Sequence, residues 1–421
     1  MLVSADRNIS RFANSNLHQN MSEESAELTL RVIAGRAMGV ASTTVFDDES
    51  IAATAQLARD AARHARPLPN FSGLYRENEA APALRTFDER ALISPEAKAR
   101  ALREMFDRGA AHQVQFAGSY TTGIVSVACG NTHGVRRFCR ATSNDATVIG
   151  LHAAGSGYAT TCSRSSIDLA ALGDEAVEKA TLRGGKNEDL QPAAYDVILE
   201  SPAIAEVLDW VNMISLSGQS FEDGSSFFVG NIGRRILSER FTLTDDSIDE
   251  QFLPFPFDME GLPRRLITLI EAGVPRTPVV DKAYADRLSL PATANAWHLG
   301  SSDHGSAFHL AIAAGDASRE ELIASTKLGI WVTRFNYVNG LLEPRSALMT
   351  GTTRDGTFLI RDGEVTARLP NLRWTQSIVE GFSNIEGITR ERRRVSAWYN
   401  TFGGTFAPAM KIRGWHFTGK T

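Results

Sequence analysis

Two histidines that lie close together are the first candidates for metal chemistry. His304 and His309 are five residues apart in a glycine-containing segment. A helical zinc site of a peptidase needs two imidazoles on adjacent turns and a carboxylate that activates the metal-bound water. No histidine of this chain is followed by a glutamate. The pair therefore favours two loop histidines over a metal site.

The same segment contains a serine and an aspartate, which are the other residue types of a hydrolytic triad. Ser301, Asp303 and His304 lie within Gly300–Gly305, but the glycines do not fit the GxSxG nucleophile elbow. Side chains adjacent in sequence rarely face one another as a triad requires, so a turn is the favoured interpretation. A hydrolase site that uses Asp303, His304 and His309 with a metal stays as the alternative.

Composition excludes several partners and compartments. The net charge of -5 and the pI near 6.0 give no basic excess that would draw the chain onto nucleic acid. No stretch approaches the roughly 18 apolar residues of a membrane span, and the first residues form no apolar signal segment. Residues 184–187, Gly-Gly-Lys-Asn, lack the remaining positions of a phosphate-binding loop. We expect a cytoplasmic protein with no nucleic-acid and no membrane partner.

The three cysteines do not indicate a disulfide framework. Cys129, Cys139 and Cys162 have no CxxC spacing, and an odd number cannot all pair with one another. We expect small buried residues in strands and no zinc knuckle.

Residues typical of helix N-termini predict the helices of the first half, which must position any functional site there. Asp47 and Asp48 precede apolar residues at helical spacing, and Ser94 with Pro95 begins a second helix. A third helix is predicted over residues 174–183. These helices are long, so the first half is expected to combine them with a sheet.

Strand signals occupy the rest of the chain. Residues 27–42 predict a strand pair, and residues 113–163 predict antiparallel strands separated by glycine turns. A strand over 195–199 leads into a short apolar helix that Ser201 and Pro202 are expected to cap and that runs to about Ile214.

The second half reads as mostly β. Asp362 and Gly363 predict a hairpin turn between residues 358–360 and 364–365. The predicted class is α+β with two domains: an N-terminal sheet with long helices over residues 1–190, and a β-rich C-terminal domain over residues 191–421.

Glycine- and aspartate-rich blocks recur in order along the second half. They are Leu216–Phe227, Leu243–Asp246, Phe257–Gly261, Gly315–Asp316 with Glu320–Ile323, and Thr353–Gly363. Through these blocks the chain resembles the TldD/PmbA ("modulator of DNA gyrase") family, and the Gly35–Gly39 segment, the helix after Asp48 and the Asn131–Gly134 turn extend the resemblance to the first half. By their residue types alone, these blocks favour turns that fix strand register over catalytic groups.

The resemblance implies a cytoplasmic metallopeptidase whose active subunit carries His-Glu-x-x-x-His on a helix and a cysteine ligand near its C-terminus. An ungapped match places Asp209, Trp210 and Ile214 where His, Glu and His would stand. Tryptophan cannot act as a general base and isoleucine cannot bind zinc, and no cysteine follows Cys162. The chain thus resembles the TldE/PmbA-like member that lacks the zinc motif, with no catalytic residue, metal or cofactor of its own.

The leading hypothesis is a non-catalytic subunit that pairs with a TldD-like, zinc-bearing partner. The two would enclose a cavity where a peptide substrate, bound as an added strand, is cut. The predicted cavity-lining positions are Gly218, Ser220, Asp223, Gly224, Ser226, Thr353, Arg354 and Asp355. The alternatives are a stand-alone hydrolase with an atypical site and a homo-oligomeric peptide-binding protein.

Overall fold

A computed structural model describes residues 1–182, 190–297, 305–397 and 402–420. The described chain forms two units, each built on its own β-sheet with helices. This confirms the α+β class. The predicted Gly184–Asn187 segment and Ser301–His304 lie outside the described residues.

The N-terminal unit is built on an antiparallel sheet. Its strands are β1 (Leu2–Ala13), β2 (Asn16–Ala34), β3 (Ala37–Thr43), β4 (Gln115–Gly130), β5 (Arg136–Thr142), β6 (Asn144–His152) and β7 (Gly155–Ser163). They are joined in the order β3-β2-β1-β4-β6-β7, and β5 also pairs with β4. The strand pair predicted over residues 27–42 is therefore the end of a longer antiparallel arrangement. Strand β1 hydrogen-bonds along the polar first half of β2.

Three α-helices complete this unit. They are α1 (Asp48–His64), α2 (Pro95–Ala111) and α3 (Leu169–Thr181), with a 3₁₀ turn at Glu89–Ala91. Asp47 caps α1 by accepting from the Ser50 N–H at 2.7 Å, and Ser94 caps α2, as predicted. The third helix begins five residues before the predicted start, because Asp168 supplies its N-terminal cap.

Close helix–sheet contact explains one glycine of this unit. A Cβ atom at Gly39 in β3 would lie 2.1 Å from the carbonyl oxygen of Ala58 in α1, so only glycine lets the backbones approach. Helices α2 and α3 contribute Met105 and Leu172 to a core shared with Phe116 of β4. The helices are thus fixed to the sheet by packing at specific positions.

The C-terminal unit is built on an eleven-stranded sheet. Its strands are β8 (Ala193–Leu199), β9 (Leu243–Asp245), β10 (Ile267–Glu271), β11 (Val274–Pro275), β12 (His309–Ile312), β13 (Leu328–Glu343), β14 (Leu348–Arg361), β15 (Glu364–Arg368), β16 (Leu372–Ser377), β17 (Ile385–Ser396) and β18 (Gly404–Lys420). Its helices are α4 (Ser201–Val211), α5 (Gly218–Glu222), α6 (Lys282–Leu288), α7 (Arg319–Ala324) and α8 (Ile378–Ser383), with a π-helical turn at Asn212–Leu216 and a 3₁₀ turn at Pro344–Ser346. The predicted hairpin at Asp362 is confirmed as the β14–β15 pair.

Part of this sheet closes on itself. Strand β8 pairs with β13 on one side and with β18 on the other, so the ladder β8-β13-β14-β16-β18 forms a ring. Phe335, Trp374 and Trp415 pack together in its core, with ring centroids 4.6–5.8 Å apart. Closure pairs β8 on both sides and gives α4 a wall of strands to pack against.

The two sheets use separate parts of the chain. Helix α3 ends at Thr181 and the second sheet begins at Ala193. The placing of the domain boundary near residue 190 stays a prediction. None of the helices in the described ranges has the length and apolar character that crossing a bilayer requires.

Candidate functional site

Helix α4 is the element on which the predicted degenerate site lies. It follows β8 directly, and its N-terminal cap is Glu200 rather than the expected Ser201, because the Ser201 hydroxyl donates to the carbonyl of Ala407 at 2.8 Å. Asp209 and Ile214 are both buried. The helix is apolar nearly all round because strands β13 and β18 and the following loops enclose it.

A π-helical turn over Asn212–Leu216 continues this helix. In a regular α-helix two residues five apart differ by about 140° around the axis, so they face different directions. A π-turn has hydrogen bonds between residues five apart and brings such positions towards one face. The π-turn contains Ile214 but begins three residues after Asp209, which lies in α4, and the side chains at Asp209 and Ile214 are not those of the His-Glu-x-x-x-His motif.

These side chains do not fit a zinc ion. Ile214 belongs to the apolar core, and Trp210 rests on β13 so closely that a Cβ at Gly340 would lie 2.8 Å from its ring. Neither offers a metal ligand. Within the described ranges no group of three or more His, Cys, Asp or Glu side chains could hold a metal ion. The chemistry of a zinc peptidase is therefore not available from this helix.

The cysteines do not supply a replacement ligand. Cys129, Cys139 and Cys162 are free thiols buried in β4, β5 and β7, as predicted. Burial raises the pKa of both Cys129 and Cys162 to about 11, so these thiols are protonated at neutral pH.

A buried polar network lies beside the π-turn. The Asn212 side chain donates to the Ala307 carbonyl at 2.8 Å and accepts from its N–H at 3.0 Å. Next to it, Asp245 accepts from Arg264 and from Asn295, each at 2.6 Å. These bonds hold the segment before β12 against the helix, which positions the backbone that surrounds the degenerate site.

His309 is part of this structural network. The backbone N–H of His309 donates to the Asp245 carboxylate at 2.8 Å, and the imidazole ring packs edge-on against the Phe252 ring. Burial, together with the nearby charges of Arg264 and Arg164, lowers its pKa well below the usual range, so the imidazole is neutral. Asp303 and His304 lie outside the described residues.

The first group of predicted cavity positions forms a capped turn below the π-helix. Ser217 caps α5 through the Ser220 N–H, and the fully buried Ser226 donates to the Ser215 carbonyl at 2.6 Å. Gly218 packs against Val280, whereas Asp223 and Gly224 lie at the outer end of the turn, where Gly224 has φ of +76°. These residues position Leu216 and the π-turn, and their role in lining a cavity stays a prediction.

The second group, Thr353–Asp355, lies at a contact between the two units. Asp355 accepts from the Ser156 hydroxyl of β7 at 2.8 Å and forms an ion pair with Arg334. Arg334 in turn lies 4.4 Å from the ring centre of Tyr158. We call Ser156, Tyr158, Arg334 and Asp355 the latch. Thr353 is buried and Arg354 is exposed, so only one of the three predicted residues crosses to the N-terminal unit.

A second contact between the units is a buried ionic cluster. Lys179 of α3 is 1% exposed and donates to Glu175 at 2.6 Å and to Glu200 at 2.5 Å. Burial by itself lowers the pKa of Lys179, but Glu200 and Glu175 outweigh it and the pKa is raised. Trp331 donates its ring N–H to Glu200 at 3.1 Å.

The basic run near residue 390 joins this cluster. Arg393 forms an ion pair with Glu175, whereas Arg392 stacks on the ring of Phe406 at 3.9 Å. Together with α3 and Arg319 they border a cleft of about 890 Å³ between the units. Sequence reasoning missed Lys179, and the available signal was a lysine on an otherwise apolar face of α3.

Two solved structures share this fold along nearly the whole chain. TldE from Thermococcus kodakarensis superposes with a TM-score of 0.87 at 19% identity, covering 99% of this chain and 96% of that one. A candidate modulator of a DNA gyrase from Thermotoga maritima gives 0.87 at 15% identity, covering 99% and 95%. At these identities the likeness defines the fold alone, which belongs to the α+β class with two sheets.

Family models identify the group within that class. A model described as the PmbA/TldA metallopeptidase C-terminal domain matches residues 192–419, and one described as PmbA/TldA metallopeptidase domain 1 matches residues 3–62. The chain belongs to the PmbA/TldD family, as the sequence blocks indicated.

Curated relatives match this chain over part of their length. The metalloprotease TldD homolog of Buchnera aphidicola is 26% identical over 221 residues, which is 51% of this chain and 44% of that protein. A metalloprotease of Methanothermobacter thermautotrophicus is 24% identical over 171 residues, or 40% and 37%. The matches thus span less than half of these relatives.

Proposed function

We propose that the chain is a non-catalytic, TldE-like subunit of a cytoplasmic zinc metallopeptidase that acts on peptides. One observation carries the proposal: the helix and π-turn that match the position of the zinc motif carry Trp210 and Ile214, which provide neither base nor ligand. A chain with this scaffold and without its chemistry fits an architectural partner of an active homologue.

In this proposal the zinc and the catalytic groups belong to a TldD-like partner, and the two subunits enclose the space where peptide is cut. The partial likeness to proteins named TldD and metalloprotease supports a shared ancestry with such enzymes. His309 is fully buried away from solvent and therefore gives no support to a separate hydrolase centre in this chain.

The test is to purify the tagged chain from its native cells, identify co-purifying proteins by mass spectrometry and quantify zinc in the same sample. We expect a stoichiometric partner that carries His-Glu-x-x-x-His, with zinc in proportion to that partner. Peptidase activity should appear only in the complex. A chain that emerges alone with bound metal would overturn the proposal and return attention to His304 and His309.

The homo-oligomer alternative predicts a different result in the same experiment. A chain that elutes as a multimer of itself, binds peptide and carries no zinc-bearing partner would be a stand-alone binding protein. Light scattering on the purified sample separates this outcome from the heteromeric one, because the two complexes contain different polypeptides.

A further inference from the structure

A row of four side chains crosses the sheet of the N-terminal unit. Ile9, Thr121, Asp145 and Cys162 are register partners on β1, β4, β6 and β7, respectively. Register partners on adjacent strands point to the same face of a sheet, and adjacent strands lie about 4.8 Å apart. Cys162 packs in one apolar cluster with Leu253 of the C-terminal unit. The row therefore lies on the face that the C-terminal unit covers, and Asp145 places a carboxylate there.

Two arginines stand beside this row. Arg7 lies two positions before Ile9 on β1, and Arg164 lies two positions after Cys162, directly after the end of β7. The side chain of Arg7 lies over β4, where residue 123 is a glycine: a Cβ at Gly123 would be 3.1 Å from Cγ of Arg7. The Arg7 side chain thus extends in the direction of β6, the strand that carries the carboxylate of the row.

These charged groups border one cavity between the two units. It has a volume of about 220 Å³, and its lining includes Arg7, Asp145 and Arg164 from the N-terminal unit with Leu253 and Ser396 from the C-terminal unit. Within the described ranges, neither Arg7 nor Asp145 takes part in an ion pair. Charges of both signs therefore line the same cavity without neutralising one another at contact distance.

Arg164 is buried without a carboxylate partner among the described residues. It is 7% exposed and donates to the carbonyl oxygens of Thr142 at 2.8 Å and Phe402 at 2.7 Å, which carry no net charge. Burial lowers the pKa of Arg164 to about 10. Burial also raises the pKa of Asp145, even though Arg7 lies near enough to oppose this. Both shifts are those of charges with little compensation inside the protein.

The charges and the volume together define the class of ligand that fits. A buried charge is stable only when it is paired. A simple anion would meet the carboxylate of Asp145 and a simple cation would meet the two arginines, whereas a zwitterion pairs with both signs at once. A volume of about 220 Å³ is below the roughly 300–1,000 Å³ of sites for drug-sized ligands, so the ligand has only a few non-hydrogen atoms. Ile9 and Leu253 give the cavity an apolar side.

We propose that this cavity binds a free α-amino acid with a small apolar side chain. The ammonium group of the ligand lies beside Asp145, and its carboxylate lies beside Arg7 and Arg164. Its side chain contacts the apolar side of the cavity. The inference goes beyond the proposed function, because every group that it uses belongs to this chain and neither zinc nor a partner subunit is required. If both proposals hold, the ligand is also of the class that peptide hydrolysis releases.

The test measures three ligands on the purified full chain by isothermal titration calorimetry. L-Alanine carries both charges, propionate is alanine without the ammonium group, and ethylammonium is alanine without the carboxylate. The site variant is Asp145→Asn. The matched control is Asp6→Asn, which changes an exposed carboxylate on the opposite face of β1 from Arg7. Thermal melting establishes that both variants fold as the wild type does.

We expect wild type to bind L-alanine at least about tenfold more tightly than propionate or ethylammonium, because each analogue leaves a buried charge unpaired. Asp145→Asn should weaken L-alanine binding at least about 30-fold, whereas Asp6→Asn should bind like wild type.

Propionate or ethylammonium that binds as tightly as L-alanine overturns the inference in favour of a simple ion site. No detectable binding of L-alanine to wild type also overturns it, as does an equal loss in the two variants. Where Asp145→Asn does not fold, the comparison of the three ligands on wild type still decides. Each of these outcomes leaves the subunit proposal standing, because co-purification tests that proposal separately.

Discussion

Helix α4 and the latch both contain predicted site residues, yet their side chains are used differently. In the α4 region the backbone keeps a specialised π-turn, while Trp210 and Ile214 act as packing residues. In the latch the Asp355 carboxylate pairs with Arg334 and accepts from the Ser156 hydroxyl, and the backbone at Asp355 is left-handed. Predicted site residues thus serve packing in one region and polar contacts between the two units in the other.

The difference follows from what surrounds each region. The helix is enclosed by apolar strands, and Trp210 and Ile214 contribute to the packing there. The latch and the ionic cluster join two separate units, and charged groups with several partners fix the orientation of such units. The variants below test how much the contacts between the units contribute to stability. They also test whether the helix tolerates metal ligands.

The largest effect is expected from Lys179→Met. The substitution leaves Glu175 and Glu200 buried without their shared cation, and breaking such a cluster costs about 3–5 kcal/mol of unfolding free energy. Urea denaturation of the full chain measures this. The control is Arg235→Met, which removes an exposed pair with Glu239 and should change stability by less than about 0.5 kcal/mol. Similar losses in the two variants would contradict the importance of the cluster.

Asp355→Ala should rank second. It removes the acceptor of Ser156, leaves Arg334 without its ion pair and places alanine at φ of +52°, for an expected loss of about 2–3 kcal/mol. Asp355→Asn keeps an acceptor and a residue that tolerates this backbone, so its loss should be about half as large. Limited proteolysis should cut between the units faster in the alanine variant. An asparagine variant as unstable as alanine would show that charge alone matters.

Restoring the zinc motif tests the π-turn. We expect Asp209→His with Trp210→Glu and Ile214→His to bind Co²⁺ about tenfold more tightly than a register control with Met213→His in place of Ile214→His. A π-turn that rotates position 214 towards position 209 would favour the first variant, whereas a regular helix would favour 209 and 213. Absorption spectra of Co²⁺ titrations provide the affinities. Tighter binding by the control would refute the retained geometry.

The ionic cluster should also make stability depend on acid pH. Burial raises the pKa of Glu175, but Lys179 and Arg393 outweigh it and leave the pKa below its ordinary value of 4.5. The contribution of this depressed group is present above about 4.5 and is lost as the pH falls through the folded-state pKa. Melting temperatures between about pH 6 and 3 should therefore fall more steeply for wild type than for Lys179→Met. Parallel profiles would argue against the coupling.

The smallest effect is expected from Arg393→Gln. Its side chain is 47% exposed, so solvent screens its pair with Glu175 and the loss should be below about 1 kcal/mol. The same urea experiment measures it. A loss as large as that of Lys179→Met would mean that the basic run itself holds the two units together.

Local signals were sufficient for much of the fold. Asp47 and Ser94 cap the first two helices as predicted, and Asp362 turns the predicted hairpin, because capping and turn chemistry depend on residues a few positions apart. The third helix started early because Asp168 was not recognised as its cap. The hairpin of β1 and β2 was missed because the first half of β2 is polar and exposed, so no apolar alternation marked it.

The candidate site was only partly predictable. The absence of zinc ligands at Trp210 and Ile214 could be predicted from the sequence, because it depends on side-chain chemistry alone. The latch could not, because Ser156 and Asp355 are 199 residues apart and nothing near either residue indicates the other. The pair of Lys179 with Glu175 lies within one helix and could have been proposed, but the burial of Lys179 against Glu200 depends on the tertiary structure, because lysine by itself favours an exposed position.

The sequence by itself determined the family blocks, the capped helices and the absence of a His-Glu-x-x-x-His string, since these follow from residue types and short spacings. Only the tertiary structure decided that the degenerate helix keeps a π-turn, that Asp355 reaches Ser156, and that Lys179 is buried between Glu175 and Glu200. The physical reason is that packing and charge pairing join residues far apart in the chain, and their free energy depends on the surroundings that the whole fold creates.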